Sequence, residues 1–212
     1  VSSELKWQKI DKTAYNRPHY LGDDDECWYL MEYQSGKGYS ASPANQLVSN
    51  FKKDHKYRNQ DSWKYKLSAV KTFAEHLSKL FDPNHEFVIS FIPSSKKKGD
   101  PEYDERFEML RDELLKLNLK IRFEEPITVK GSRASAHSSV SRPKPEEIKA
   151  TYQWNGFQNP PSQYLILVDD VITSGSQFRG YSDIVIQNHP NLKVIGVFWA
   201  KTSWPSPLVG II

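Results

Sequence analysis

A single cysteine, Cys27, stands among 212 residues, which excludes an internal disulfide and any multi-cysteine metal site. No apolar run approaches the length that crosses a bilayer, and no signal-peptide pattern opens the chain. A soluble, reducing, cytoplasmic setting with no membrane contact is the expectation. The six histidines, at positions 19, 55, 76, 85, 137 and 189, show no metal-ligand spacing. Charge of one sign is also missing: the net is only +3, so composition alone does not mark a polyanion binder. Internal repeats and low-complexity tracts are absent. What is present is aromatic, with six tryptophans and eleven tyrosines beside an ordinary apolar fraction. Such a chain folds, and its length suits one well-packed domain with a small appendage.

The pattern along the chain alternates strands and helices. Residues 27–33 read as an aromatic-rich strand, and 44–54 as a short helix with Ser42 as N-cap and Pro43 in its first turn. A firmer helix follows Asp61 and Ser62, with Leu67, Val70, Phe73, Leu77 and Leu80 on its apolar face and Lys66, Lys71, Glu75 and Lys79 opposite. FVISFI (87–92) is a compact strand. Asp100-Pro101 signals the start of a helix carrying Phe107, Leu110, Leu114 and Leu117, and 119–125 reads as the next strand. Residues 126–149 read as one long polar loop, of a length that is functional or disordered inside a compact domain. A strand at 164–168, a helix at 176–188 and a strand at 192–200 complete the series. This alternation predicts an α/β fold with a mostly parallel twisted sheet flanked by helices.

The stretch YLILVDDVITSGSQF, Tyr164 to Phe178, concentrates the chemistry. Apolar residues lead into Asp169 and Asp170 at the carboxyl end of a strand, where ligands of open α/β sheets bind. A turn of hydroxyls around Gly175 then opens a helix. Thr173, Ser174 and Ser176 supply donors, Gly175 allows close backbone approach, and a helix N-terminus favours an anion. Carboxylates accept from hydroxyls or face a divalent cation, while the turn cradles a phosphate. A phosphorylated sugar carries both kinds of group.

LILVDDVITSGS resembles the phosphoribosyl pyrophosphate (PRPP) motif of the type I phosphoribosyltransferases, with Gln177 standing where the family usually carries a hydroxyl. The resemblance implies a Rossmann-like type I core over residues 86–212 and an N-terminal hood or accessory region over 1–85. It implies that Asp169 and Asp170 bind the ribose 2′- and 3′-hydroxyls, and that Thr173, Ser174, Gly175, Ser176 and Gln177 hold the 5′-phosphate. Ser94, Ser95, Lys96 and Lys97 would form the pyrophosphate loop. The segment 126–149 would be the mobile flap, with Arg133 acting beside the aspartates and His137 and Arg142 reaching the ligand. Mg²⁺ is expected as cofactor, carried by PRPP near Asp169 and Asp170 and not bound directly by the chain.

Within the family the chain looks most like the ComF-like, amidophosphoribosyltransferase-like branch, although the zinc-ribbon cysteines of the competence-type proteins are absent. The implied reaction is displacement of pyrophosphate from ribose C1 by an unidentified nitrogen acceptor, a pentosyl transfer of nucleotide metabolism. The other class of reading is a catalytically silent PRPP- or nucleotide-binding regulatory module that works with a protein or nucleic-acid partner. The lysines at 52, 53 and 56 read as the wet face of a hood helix, and Trp199 and Trp204, taken as following the last strand, as candidates for stacking on a base.

Overall fold

Leu165 and Leu167 enter one hydrophobic core while Ile166 and Val168 enter another, as alternate residues of a strand covered on both faces must. The strand belongs to a computed structural model that describes residues 5–14, 16–131 and 143–204. In chain order the elements are β1 (Gln8–Lys9), β2 (Glu26–Gln34), α1 (Pro43–Phe51), α2 (Trp63–Ser78), β3 (Glu86–Phe91), α3 (Arg106–Leu114), β4 (Lys120–Phe123), β5 (Ile127–Val129), α4 (Pro145–Thr151), β6 (Tyr152–Trp154), β7 (Tyr164–Ile172), α5 (Ser176–Asn188) and β8 (Lys193–Ser203).

Six strands form one sheet in the order β1-β2-β8-β7-β3-β4. All neighbours run parallel except β1, a short antiparallel edge on β2. The fold is therefore α/β with a mostly parallel sheet. β5 and β6 make a separate antiparallel pair. Helices α1, α2 and α3 bury Val48, Phe51, Val70, Phe73, Leu77, Phe107 and Leu110 against one face. Helices α4 and α5 bury Ile148, Phe178, Tyr181 and Val185 against the other.

The connection through α3 carries the chain from β3 outward to β4, while the connection through α5 carries it from β7 the opposite way, to β8. The strand order thus reverses between β3 and β7, and the crevice beyond their carboxyl ends is where an open sheet of this kind receives a ligand.

Several elements differ from the sequence expectation. β1 and β2, which precede residue 86, belong to the same sheet, and β2 pairs with β8 along its length. Asn45 ties the end of β2 to the start of α1, bonding both the N–H and the carbonyl of Gln34, while the Ser42 hydroxyl caps α1 as expected. Asp100-Pro101 opens a turn, in which Asp100 accepts from the Glu102 and Tyr103 amides, and α3 begins only at Arg106. The polar segment 126–149 contains β5 and the start of α4, elements too short to show a period. β8 continues to Ser203, so Trp199 lies inside the strand. It is fully buried, stacks on Phe73 at 4.5 Å and donates to His76 Nδ1 at 2.9 Å. Trp199 is a core residue and not a base-stacking platform.

Helix α2 carries the most informative reversal. Leu67 is exposed and Lys66 is 0 % exposed. The buried stripe runs through Lys66, Ala69, Val70, Phe73, Ala74 and Leu77, which is itself a helical period.

Candidate functional site

β7 does not end at Val168. Its ladder with β8 includes Asp169, opposite Phe198, and continues to Ile172, so both aspartates are strand residues at the β3/β7 reversal. Asp169 is 6 % exposed and Asp170 2 %. Consecutive strand residues point to opposite sides, and the two carboxylates have different surroundings accordingly.

Asp170 is held by two cations. Lys52 Nζ, just past the end of α1, lies 2.9 Å from Oδ1, and Arg106 Nε, at the start of α3, lies 3.1 Å from Oδ2. Burial raises the pKa of Asp170, but Lys52 and Arg106 together outweigh it and hold the carboxyl below its ordinary value. Asp169 accepts from the Asp170 amide at 2.8 Å. Burial, followed by the charge of Asp170, pushes Asp169 up to about 7. Two adjacent carboxylates are thus driven apart in acidity by which of them receives the cations.

Behind Asp170 stands a buried charge chain. Arg106 also pairs with Asp104 at 2.9 Å, and its guanidinium lies over the Phe107 and Phe51 rings. Lys66 Nζ donates to Asp104 Oδ1 at 2.6 Å and to the Lys53 carbonyl at 2.8 Å. Burial lowers the Lys66 pKa, with Asp104 acting in opposition. Lys52 and Arg106 face Asp170, and Arg106 and Lys66 share Asp104, so each cation of the cluster has a carboxylate partner. A buried charge needs such a partner.

After β7 the chain makes the hydroxyl turn. Gly175 takes φ +82°, the left-handed conformation that glycine adopts without penalty, and α5 starts at Ser176. Thr173 Oγ1 bonds Thr202 Oγ1 at 2.7 Å, Ser174 Oγ lies 3.1 Å from Ser176 Oγ, and the Tyr20 amide donates to the Ser174 carbonyl at 3.0 Å. Pro18 and Leu21 pack against Gly175. The turn encloses a small hollow of about 60 Å³ lined by Thr173, Ser174, Gly175, Ser176 and Gln177. Beside it, sharing Asp169, Thr173 and Gln177, opens a cavity of about 540 Å³ also lined by Tyr33, Ser49, Lys52, Ser94, Ser95, Arg106 and Asp170.

Of the residues expected from the sequence, the two aspartates, the turn 173–177, Ser94 and Ser95 line these two adjoining cavities. Lys96 and Lys97 instead border a neighbouring, mostly apolar cavity of about 280 Å³; Lys96 pairs with Glu102 at 2.5 Å. Arg133, His137 and Arg142 lie outside the described residues. Trp204 is exposed. Lys52, read from the sequence as a wet-face lysine, turns inward to Asp170. Arg106 and Lys66 were missed. Lys66 had a legible signal, since the spacing 66, 70, 73, 77 places it in the apolar stripe of α2. Lys52 and Arg106 had none, because only the tertiary fold brings them to Asp170.

The described residues contain no group of three or more histidines, cysteines and carboxylates able to hold a metal, and no helix long and apolar enough to cross a membrane. Comparison with protein-family models and with curated proteins finds no match to this chain.

Proposed function

We propose that the chain is a phosphoribosyltransferase of the type I fold that binds PRPP and transfers its phosphoribosyl group to a nitrogen acceptor. The observation that carries this reading is the two adjoining cavities at the β3/β7 reversal, where a buried carboxylate pair adjoins a hydroxyl-lined hollow at a helix start. Few ligands ask for both. A ribose 5-phosphate unit does: its 2′- and 3′-hydroxyls donate to Asp169 and Asp170, and its phosphate accepts from the amides and hydroxyls of residues 173–177.

In the transfer, the C1–O bond to pyrophosphate breaks and a C1–N bond to the acceptor forms. The protein contributes position and charge, and no covalent intermediate is required. Ser94 and Ser95 line the larger cavity, and in this reading they would face the leaving group, Ser94 by turning its hydroxyl from the Lys96 carbonyl. Arg133 and the rest of 126–149 belong to this proposal through the resemblance alone, as does the cytoplasmic setting. Helices α1 and α2, with the turns between and before them, would serve as the hood that selects the acceptor.

The donor set also fits Mg²⁺. Two adjacent carboxylates without a third protein ligand among the described residues suit a cation that keeps most of its coordination on ligand oxygens. It would be carried by PRPP near Asp169 and Asp170 and not bound directly by the chain, and when bound it would neutralise charge gathering on the leaving diphosphate.

A second reading, a silent PRPP-binding module, draws support from the ion pairs that Lys52 and Arg106 make with Asp170. Pyrophosphate release decides between the two. The protein is incubated with PRPP, Mg²⁺ and a panel of purine, pyrimidine and amine acceptors. Acceptor-dependent release that Asp169→Asn with Asp170→Asn abolishes supports the enzyme, and binding without release for every acceptor supports the module.

A further inference from the structure

Two cations sit on Asp170, and they are held in different ways. Arg106 is pinned: Asp104 takes its other nitrogen, two phenyl rings lie against it, and Lys66 secures Asp104 from the core. Lys52 is not. Its side chain is 31 % exposed, it extends from the residue that ends α1, and its ammonium pairs with Asp170. The backbone next to it is anchored, because Lys66 holds the Lys53 carbonyl. An anchored base with a partly exposed ammonium on the cavity wall is the arrangement of a part that can change partners.

Ligand hydroxyls and Lys52 compete for the same carboxylate oxygen. A neutral diol would have to break a nearly buried ion pair and leave the ammonium with nothing, which is costly. A ligand that carries an anionic group within reach of Lys52 removes that penalty by giving the ammonium a new partner. The cavity that Lys52 borders is also lined by the hydroxyl residues Ser35, Ser49 and Ser95.

We propose that Lys52 is a displaceable counter-ion of Asp170, which passes to an anionic group of the ligand when the ligand's hydroxyls take the carboxylate. The site therefore selects sugar phosphates that carry a second anionic group beyond the one seated in the turn. This rests on the phosphoribosyl reading and adds to it a selectivity device that comes from α1. Lys96 and Lys97, which border the other cavity, have no part in it.

The handover predicts coupling between two small probes. In calorimetry on the wild-type chain at constant Mg²⁺, 1-deoxyribose 5-phosphate supplies the diol and one phosphate, and inorganic pyrophosphate supplies the second anion without a C1 oxygen to collide with. Pyrophosphate should tighten binding of the sugar phosphate roughly tenfold, the scale of one charge-assisted hydrogen bond. In Lys52→Met the sugar phosphate alone should bind as well as or better than in wild type, and the coupling should vanish. Lys52→Arg should keep it. Independent or competitive binding of the two probes in wild type overturns the handover, as does coupling that survives in Lys52→Met. Failure of wild type to bind the sugar phosphate under any condition overturns the phosphoribosyl reading itself, and the handover with it. The wild-type coupling requires no variant to fold.

Discussion

Replacing the two adjacent aspartates one at a time should change stability in opposite directions. In the folded chain Asp169 keeps its proton up to about pH 7, because burial and then the neighbouring charge of Asp170 oppose ionisation. The unfolded chain ionises near the ordinary value of 3.8. A group whose folded pKa is raised favours folding below the unfolded value, and loses that contribution as pH rises through the folded one. At pH 8 the fold therefore carries Asp169 as a cost. With about 1.4 kcal/mol per tenfold change in the ionisation constant, that cost is about 4 kcal/mol. Asp169→Asn keeps the oxygen that accepts from the Asp170 amide and removes the charge. The variant should gain most of that amount at pH 8, less than half of it near pH 5, and almost none near pH 3.

Asp170 has the reverse sign. Its folded pKa is lowered by Lys52 and Arg106 against the effect of burial, so its contribution is present above the unfolded value and lost as pH falls through the folded one. Asp170→Asn leaves two cations facing a neutral amide. Removing one partner of a buried pair costs about 3–5 kcal/mol, and the exposure of Lys52 and the second partner of Arg106 bring this nearer about 2–4 kcal/mol. Chemical denaturation of both variants at pH 5 and pH 8 reads the two signs. Equal destabilisation by both, or a gain in Asp169→Asn that does not depend on pH, would refute the division of charge between them.

Other substitutions test the parts that support the site. Lys66→Met should lower stability by about 2–3 kcal/mol in denaturant titration, since Asp104 loses its buried partner but keeps Arg106. Gly175→Ala should cost about 1–2 kcal/mol, because its φ of +82° disfavours any Cβ and Leu21 lies 3.2 Å from where one would be; affinity for ribose 5-phosphate should fall as well. Trp199→Ala should cost about 3–5 kcal/mol in the same denaturation assay, as expected for a fully buried ring stacked on Phe73.

The turn and the aspartates were legible because the chemistry is local. Apolar strand, carboxylates, hydroxyls, glycine and helix follow one another in the chain, and the structure keeps that order. Helix α1 was legible from its Ser42 cap and helix α2 from its apolar period. The remaining parts depend on contacts between distant segments. Lys52 and Asp170 meet across the β2–α1 unit and β7, and nothing in KKD at 52–54 distinguishes an inward lysine from a solvated one. Trp199 looked terminal because β8 alternates faces and runs on through Lys201 and Thr202, polar residues that are nevertheless buried. Lys66 was assigned by its charge to the polar face, although its spacing belonged to the core. The period was the better guide, because Asp104 and the Lys53 carbonyl satisfy the ammonium inside.

The central claim is that the carboxylate pair and the hydroxyl turn form one phosphoribosyl site. Its most direct measurement is a calorimetric titration of PRPP with Mg²⁺ into the wild-type chain and into Asp169→Asn with Asp170→Asn, with the fold of the double variant checked by circular dichroism. Saturable one-to-one binding in wild type that disappears in the double variant is the predicted result. The same affinity in both proteins, or no binding to wild type, would contradict it.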